Sequence, residues 1–223
     1  MKEFKNIKNF IFDCDGVLYS DLEKVFGQVS KRMTSFISKN LNLDLKKAKE
    51  LQTNYFHKYN TSLNGLMIHH KINPDEFLKN VHDIDLSFMK KDIVLRKELE
   101  KLNLKKFIFT NGSKEHAINI TTHLGINDLF DGLFDIIDAE FSPKPTAKAF
   151  DLMVKKFKID PHETLYIEDI AKNLSIGKER GAITVWLIND EYWGKKESDK
   201  EFIDYKIENL SLFLKEIRLL KNS

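Results

Sequence analysis

The sequence predicts an α/β fold, a Rossmann-like parallel sheet with helices on both faces, interrupted by one long helical insertion. Strand signals are short apolar runs rich in aromatic and branched residues. They recur near residues 8–13, 105–110, 134–138, 164–169 and 182–188. Helical patterns follow the later runs at about 114–124, 146–158, 171–180 and 208–220. This alternation is typical of βαβ units, which build parallel sheets.

The insertion lies between the first two predicted strands, which are separated by roughly 90 residues with mostly helical patterning. A helix is predicted over 44–59, with Asp44 as its N-cap, and another begins at Asn73-Pro74. The apolar stripe of the first helix consists of Leu45, Ala48, Gln52, Tyr55, Phe56 and Tyr59. We interpret this stripe as helix core, and stacking of its aromatic rings on a flat ligand is the alternative.

Composition limits the class of protein. The 223 residues carry 36 basic and 34 acidic side chains, a net charge of +2, which argues against a nucleic-acid or membrane binder. No apolar run approaches the roughly 20 residues that span a bilayer, and the N-terminus is too charged for a signal peptide. Cys14 is the single cysteine, so no internal disulfide forms, and we expect it to be buried. These features predict a cytoplasmic enzyme. They leave its oligomeric state open.

An acid pair closes the first apolar run, where Asp13 and Asp15 follow Phe10-Ile11-Phe12. Residues i and i+2 of a strand point the same way, so these two carboxylates are expected to share a face and to repel each other. A hard divalent cation such as Mg²⁺ is the usual counter-charge for oxygen ligands. An ordinary solvated turn is the alternative, because aspartate and glycine favour turns.

Three further strand ends carry polar side chains. Thr110-Asn111-Gly112 follows the second run, Lys144 follows the third, and Glu168-Asp169 ends the fourth. Each of these segments alone is an ordinary turn or loop. In an open α/β sheet, however, ligands bind outside the carboxyl ends of the strands. The ordered set of acid pair, hydroxyl, lysine and second acid pair therefore indicates one site.

These motifs resemble those of the haloacid dehalogenase-like hydrolases, in particular the subgroup with a helical cap inserted after the first motif. The matching segments are Asp13-Cys14-Asp15-Gly16-Val17, Thr110-Asn111-Gly112, Lys144-Pro145 and Glu168-Asp169 with Asn173. The resemblance implies a catalytic core formed by residues 1–16 and 90–223 and a helical cap formed by residues 17–89.

The resemblance also implies a role for each motif residue. Asp13 would be the nucleophile, and Asp15 the general acid and base. Thr110, Asn111 and Gly112 would bind phosphate oxygens together with Lys144. The implied Mg²⁺ ligands are Asp13, Asp15 through its backbone carbonyl, Asp169 and Glu168. Two alternatives stay open: Lys144 as a solvated loop lysine and Glu168 outside direct contact with the metal.

The implied activity is a Mg²⁺-dependent phosphatase that hydrolyses a small-molecule phosphate ester through an aspartyl-phosphate. Tyr19, His116 and the segment 168–174 are similar to the pyrimidine 5'-nucleotidase-like branch, which implies a pyrimidine nucleoside 5'-monophosphate as substrate. Gly16-Val17 departs from that branch and is common in sugar-phosphate phosphatases and phosphomutases, which are the alternative. A 2-haloacid dehalogenase would need neither Asp15 nor a metal, and a non-catalytic binding protein would be expected to lack a motif residue. For His116, a position on the helix surface without a role in the site is an equally good interpretation of the sequence.

Overall fold

The structure, a computed structural model, describes residues 2–189 and 191–221. These residues form one parallel sheet in the order β3-β2-β1-β4-β5-β6. The strands are β1 Asn9–Phe12, β2 Lys105–Phe109, β3 Gly132–Phe134, β4 Thr164–Glu168, β5 Ile183–Leu187 and β6 Tyr205–Ile207. The order places the carboxyl ends of β1, β2 and β4 side by side, and it confirms the predicted α/β fold.

Ten α-helices lie in the described part of the chain, and none of them is long and apolar enough to cross a membrane. They are α1 Leu22–Leu41, α2 Leu45–Tyr59, α3 Ser62–His70, α4 Pro74–Val81, α5 Ile93–Lys101, α6 Lys114–Leu124, α7 Ala147–Phe157, α8 Ser175–Glu179, α9 Tyr192–Lys195 and α10 Leu210–Lys221. Short 3₁₀ turns occur at Lys2–Asn6, Asn127–Leu129, Pro161–Glu163 and Ala171–Leu174.

Both faces of the sheet are covered, because successive strand residues point to opposite sides. On one face, Phe10 and Phe12 pack in a cluster with residues of α5, α6 and α10. On the other face, Ile11 packs with Phe109 and with residues of α7. Cys14 is fully buried in the first cluster, as expected from the sequence.

Helices α1 to α4 form the insertion between β1 and β2, and they enclose a hydrophobic cluster of their own. Asp44 caps α2 by accepting a hydrogen bond from the Lys47 amide, and Asn73 caps α4 in the same manner. The predicted stripe on α2 is only partly core. Ala48 and Gln52 are buried, whereas Leu45 at the first position of the helix is exposed. The limits of the cap, 17–89, stay a prediction.

Two elements differ from the sequence prediction. The third strand ends at Phe134 instead of continuing to 138, because the Asp135 carboxylate accepts hydrogen bonds from the amides of Ile137 and Asp138 (3.0 and 2.8 Å) and so turns the chain. The polar composition of residues 189–204 predicts a surface loop, yet this tail contains α9 and is followed by β6. Asp190, within that tail, lies outside the described residues.

Candidate active site

A cavity of about 240 Å³ opens at the carboxyl ends of β1, β2 and β4, between the sheet and the insertion. Most of the residues expected at the site line it. They are Asp13, Asp15, Thr110, Asn111, Gly112, Lys144 and Asp169. Glu168 is fully buried at the end of β4 and contacts the cavity through Lys144. The structure thus brings all eight residues together.

Lys144 is the central cation of the site. Its ammonium lies 2.8 Å from Asp13 Oδ1 and 2.6 Å from Glu168 Oε1, and it donates a hydrogen bond to the Phe109 carbonyl (2.9 Å). Burial lowers the pKa of Lys144, but the two carboxylates outweigh burial and hold the pKa above its usual range. The side chain is 1% exposed, which excludes a solvated loop lysine.

The loop after β2 is fixed by its own side chains. Thr110 Oγ1 accepts a hydrogen bond from the Gly112 amide (2.9 Å), and Asn111 Oδ1 accepts one from the Lys144 amide (2.8 Å). Asn111 therefore ties the loop after β2 to the loop that carries Lys144. This arrangement presents the Thr110 hydroxyl beside the Lys144 ammonium, and both are donors that suit an anion.

A group of three buried carboxylates could hold a cation. One oxygen from each of Asp13, Glu168 and Asp169 lies within 4.8 Å of the others. Glu168 is already engaged by Lys144, Asn173 and the Ile170 amide. Asp169 Oδ1, in contrast, is buried without a hydrogen-bond partner among the described residues. An orphaned carboxylate oxygen beside a second carboxylate fits a hard cation such as Mg²⁺.

Gly16 allows this group to form. Its φ of +75° is a left-handed conformation, and a Cβ at this position would lie 2.2 Å from Asp169 Oδ2. The same oxygen accepts a hydrogen bond from Asn189 (2.9 Å). The absence of a side chain at residue 16 thus permits close approach of Asp169 to the backbone that follows Asp13.

Burial and the nearby charge of Glu168 raise the pKa of Asp13 from 3.8 to about 8. The folded protein without metal therefore binds a proton that the unfolded chain releases above pH 4. The contribution of Asp13 to the free energy of unfolding should be fully present below that pH and should be lost as the pH rises through about 8. Mg²⁺ binds the deprotonated form, so its stabilising effect should increase over the same range.

Urea unfolding at several pH values, with excess Mg²⁺ and with EDTA, measures this effect. The Asp13→Asn variant is the control, because it lacks this titrating group and should lose the share of the pH slope that Asp13 contributes. Burial also raises the pKa of Asp169, which keeps its own share in the variant. A wild-type slope that equals the slope of the variant would contradict the assignment to Asp13.

Asp15 is held by two donors from different elements. Tyr19 Oη donates to Asp15 Oδ1 (2.6 Å), and His116 Nε2 lies 2.9 Å from the same oxygen. Burial raises the pKa of Asp15, but His116 and the hydrogen bonds from His116 and Tyr19 outweigh burial, so the pKa lies below its usual range. His116 is 2% exposed, which excludes a helix-surface histidine.

Several residues of the site were not identified from the sequence. The ring of His82 stacks on that of His116 with centroids 4.3 Å apart, and burial, with a contribution from His116, lowers the pKa of His82 to about 3. Asn189 and Trp193 lie in the tail for which the sequence predicts a surface loop, but Asn189 donates a hydrogen bond to Asp169 and Trp193 lines the cavity. Asn189 lies just after β5, so the reasoning that identified the other strand ends could have found it.

Three aromatic residues form one wall of the cavity. The ring of Trp193 lies 5.9 Å from that of Phe26 and 6.3 Å from that of Phe56, measured between centroids. All three side chains line the cavity and are half-buried. Phe56 therefore contributes to the cavity wall and is not simply helix core. This wall contains two side chains from the insertion and one from α9.

The chain belongs to the haloacid dehalogenase-like hydrolases, because this family matches residues 7–181. Phosphate metabolism protein 8 of Saccharomyces cerevisiae is 35% identical over 161 residues, which are 65% of this chain and 50% of the yeast protein. The chain is thus similar to about half of that relative.

Two other proteins match over nearly their whole length. The glyceraldehyde 3-phosphate phosphatase of Methanocaldococcus jannaschii is 27% identical, and the match covers 96% of this chain and 99% of that protein. Among solved structures, the magnesium-bound HAD hydrolase YfnB of Bacillus subtilis has a TM-score of 0.56 at 16% identity, over 97% of this chain and 99% of its own. Its identity is low, so this likeness concerns the fold alone.

Proposed function

We propose that this hydrolase is a Mg²⁺-dependent phosphatase that forms an aspartyl-phosphate on Asp13. The observation that carries the proposal is the buried ammonium of Lys144, which bridges Asp13 and Glu168 beside the unpartnered oxygen of Asp169. An anionic nucleophile can attack an anionic phosphate only when positive charge offsets their repulsion. The site provides one such charge and the ligands for another.

Asp13 attacks the phosphorus atom, and the bond to the leaving oxygen breaks with its electron pair on that oxygen. Asp15 donates a proton to the leaving alcohol, and later accepts one from the water that attacks the phosphorus of the intermediate. Inorganic phosphate then leaves, and Asp13 is regenerated. One group can serve both steps because the second step runs the proton transfer backwards.

The remaining motif residues neutralise and orient the phosphate. Lys144 lies against Asp13 and supplies a fixed positive charge. The Thr110 hydroxyl and the Asn111 amide would provide donors for the non-bridging oxygens. Asp13 and Asp169 are the ligands that best fit a metal, while Glu168 holds Lys144. A bound Mg²⁺ would supply further electrostatic stabilisation of the phosphoryl group.

The low pKa of Asp15 in the site without ligand is compatible with its role as an acid. A phosphate dianion placed beside Asp15 repels the charged form of the carboxylate and so raises its pKa. Substrate binding thus favours uptake of the proton that the first step consumes.

For the substrate, we propose a pyrimidine nucleoside 5'-monophosphate. The aromatic wall of the cavity contains Phe26, Phe56 and Trp193, and Met33 and Phe77 also line the cavity. A flat base can stack on aromatic rings, a contact worth about 1–3 kcal/mol per base. A polyol in the same place would leave hydroxyl groups against apolar side chains, which is unfavourable.

Sugar phosphates are the second candidate, because the chain is similar over nearly its full length to a glyceraldehyde 3-phosphate phosphatase. Gly16-Val17 also favours this class by resemblance to sugar-phosphate enzymes. Ser30, Lys49 and Gln52 line the cavity as well and could bind hydroxyl groups.

The kcat/KM values for UMP, CMP, glyceraldehyde 3-phosphate and a pentitol phosphate, measured with Mg²⁺ and with EDTA, test both candidates. We expect the nucleotides to be preferred and EDTA to abolish turnover. A preference of about tenfold or more for a sugar phosphate, about 1.4 kcal/mol of transition-state binding, would overturn the nucleotide assignment. Undiminished activity in EDTA would overturn the metal-dependent mechanism.

Trp193→Ala tests the aromatic wall directly. Loss of a stacking contact should lower kcat/KM for UMP by about 5- to 150-fold, while the value for glyceraldehyde 3-phosphate should change little. Tyr192→Ala is the matched control, since this neighbouring ring is exposed and lies outside the cavity wall. Equal losses for both substrates in Trp193→Ala would contradict base stacking.

A further inference from the structure

We infer that His116 and Tyr19 are positioning residues that orient the Asp15 carboxylate, so that its second oxygen, Oδ2, exchanges the proton with the leaving group. This inference rests on the proposed phosphatase function. It concerns two residues whose contribution is the placement of another side chain, and it assigns different tasks to the two oxygens of Asp15.

The geometry of Asp15 separates its two oxygens. Tyr19 Oη and His116 Nε2 both reach Oδ1, at 2.6 and 2.9 Å. Within the described part of the chain, the hydrogen bonds to this carboxylate all end at Oδ1. The side chain is 23% exposed and lines the cavity, so Oδ2 remains available to a ligand.

The two donors approach from separate elements and are themselves buried. Tyr19 lies in the segment between β1 and α1, and His116 lies in the first turn of α6. They are 8% and 2% exposed. A carboxylate held by donors from two elements loses the rotation about its χ2 bond that a single donor would permit.

The His116 ring is fixed in turn by its neighbours. Ser113 caps α6, because its hydroxyl oxygen accepts a hydrogen bond from the His116 amide. The same hydroxyl lies 2.9 Å from His82 Nδ1. The His82 ring then stacks on His116 with an interplanar angle of 17°. This chain of contacts holds the imidazole plane in the direction that aims Nε2 at Asp15.

The other nitrogen of His116 shows which contact determines the ring position. Nδ1 is buried and has no hydrogen-bond partner among the residues that the structure describes, which costs free energy. The ring therefore keeps the hydrogen bond between Nε2 and Asp15 although its second nitrogen is left without a hydrogen bond. Unsatisfied buried groups of this kind are uncommon and occur at functional sites.

The chemistry depends on this orientation in both steps. In the first step the P–O bond to the leaving oxygen breaks, and the proton on Oδ2 moves to that oxygen, leaving Asp15 as a carboxylate. In the second step Oδ2 takes a proton from the attacking water, and the P–O bond to Asp13 breaks. A freely rotating carboxylate would present the proton in the correct position only part of the time.

Single-turnover release of the leaving alcohol measures the first step alone. The rate is compared between two substrates. The alkyl ester is UMP, or glyceraldehyde 3-phosphate if that is hydrolysed faster. The aryl ester is 4-nitrophenyl phosphate, whose leaving group departs without a proton. Tyr19→Phe and His116→Leu should each slow the alkyl ester by about 10- to 100-fold. Hydrolysis of the aryl ester should be slowed less than threefold, which is roughly the variation expected from a neutral substitution.

Conservative and matched variants complete the test. His116→Gln retains an N–H close to the place of Nε2 and should recover much of the rate with the alkyl ester. The controls are Tyr192→Phe and His123→Gln, which change exposed residues outside the cavity wall. If His116→Leu does not fold, Tyr19→Phe and His116→Gln give the same comparison between leaving groups.

Equal losses with both leaving groups would overturn the inference, because a merely structural role has no dependence on the leaving group. A change confined to KM, or rates in the variants equal to those of the controls, would overturn it as well. A wild-type protein that hydrolyses neither ester would instead overturn the proposed function on which the inference rests.

Discussion

Asp13→Asn is expected to abolish phosphatase turnover, with a loss on the order of 10,000-fold or more. An amide is a poor nucleophile, so the covalent intermediate cannot form at this position. The fold should persist, because asparagine has nearly the same shape and its Oδ1 can still accept the hydrogen bond from the Cys14 amide. Steady-state kcat at saturating Mg²⁺, together with urea unfolding, measures both effects.

The free energy of unfolding gives an independent check on Asp13. Burial disfavours the charged form of this carboxylate, so the neutral amide should leave the protein at least as stable at neutral pH in the absence of metal. Asp199→Asn, at an exposed aspartate, is the matched control and should retain full activity. Full activity of Asp13→Asn would refute nucleophilic catalysis by this residue.

Lys144→Met should have the second largest effect, on stability as well as on turnover. Removal of the ammonium leaves Glu168, and Asp13 in its ionised form, buried without the counter-charge that now lies 2.6 and 2.8 Å from them. Loss of one partner from a buried ion pair costs about 3–5 kcal/mol. We expect the free energy of unfolding to fall by about this amount at neutral pH, and kcat to fall with it.

Lys148→Met is the matched control for Lys144. Lys148 forms an ion pair with Glu140 on the surface (2.7 Å), where such pairs contribute about 0–1 kcal/mol. The deficit of Lys144→Met should shrink as the pH is lowered, because protonation removes the uncompensated charge. Urea unfolding at neutral and acidic pH measures this dependence. A deficit no larger than that of Lys148→Met would show that the buried pair does not stabilise the fold.

Much of the site could be predicted because parallel strands bring their carboxyl ends to one edge of the sheet. Asp13, Thr110 and Asp169 are far apart in the sequence, yet each follows a run of buried residues. Their order along the chain and the direction of the strands were enough to place them together. The position of Lys144 is harder to predict, because the turn formed by Asp135 separates β3 from the loop that carries Lys144.

The remaining part of the site depends on tertiary packing that no local pattern records. His82 ends α4, and nothing in its sequence neighbourhood indicates that its ring stacks on His116. Phe56 has the spacing of a core residue, and only the approach of α9 to the insertion places it beside Trp193. Strand β6 has three residues, too few for a periodic pattern, and gains its structure by pairing with β5.

The most direct test of the central claim, covalent catalysis by Asp13, is mass spectrometry of the acid-quenched protein during turnover. With 4-nitrophenyl phosphate, whose leaving group needs no proton, Asp15→Asn should accumulate the intermediate, because the second step lacks its base. We expect one phosphoryl group on the peptide that contains Asp13, and none in the double variant with Asp13→Asn. Absence of a phosphoryl group from the quenched protein, or its location on another residue, would contradict the account.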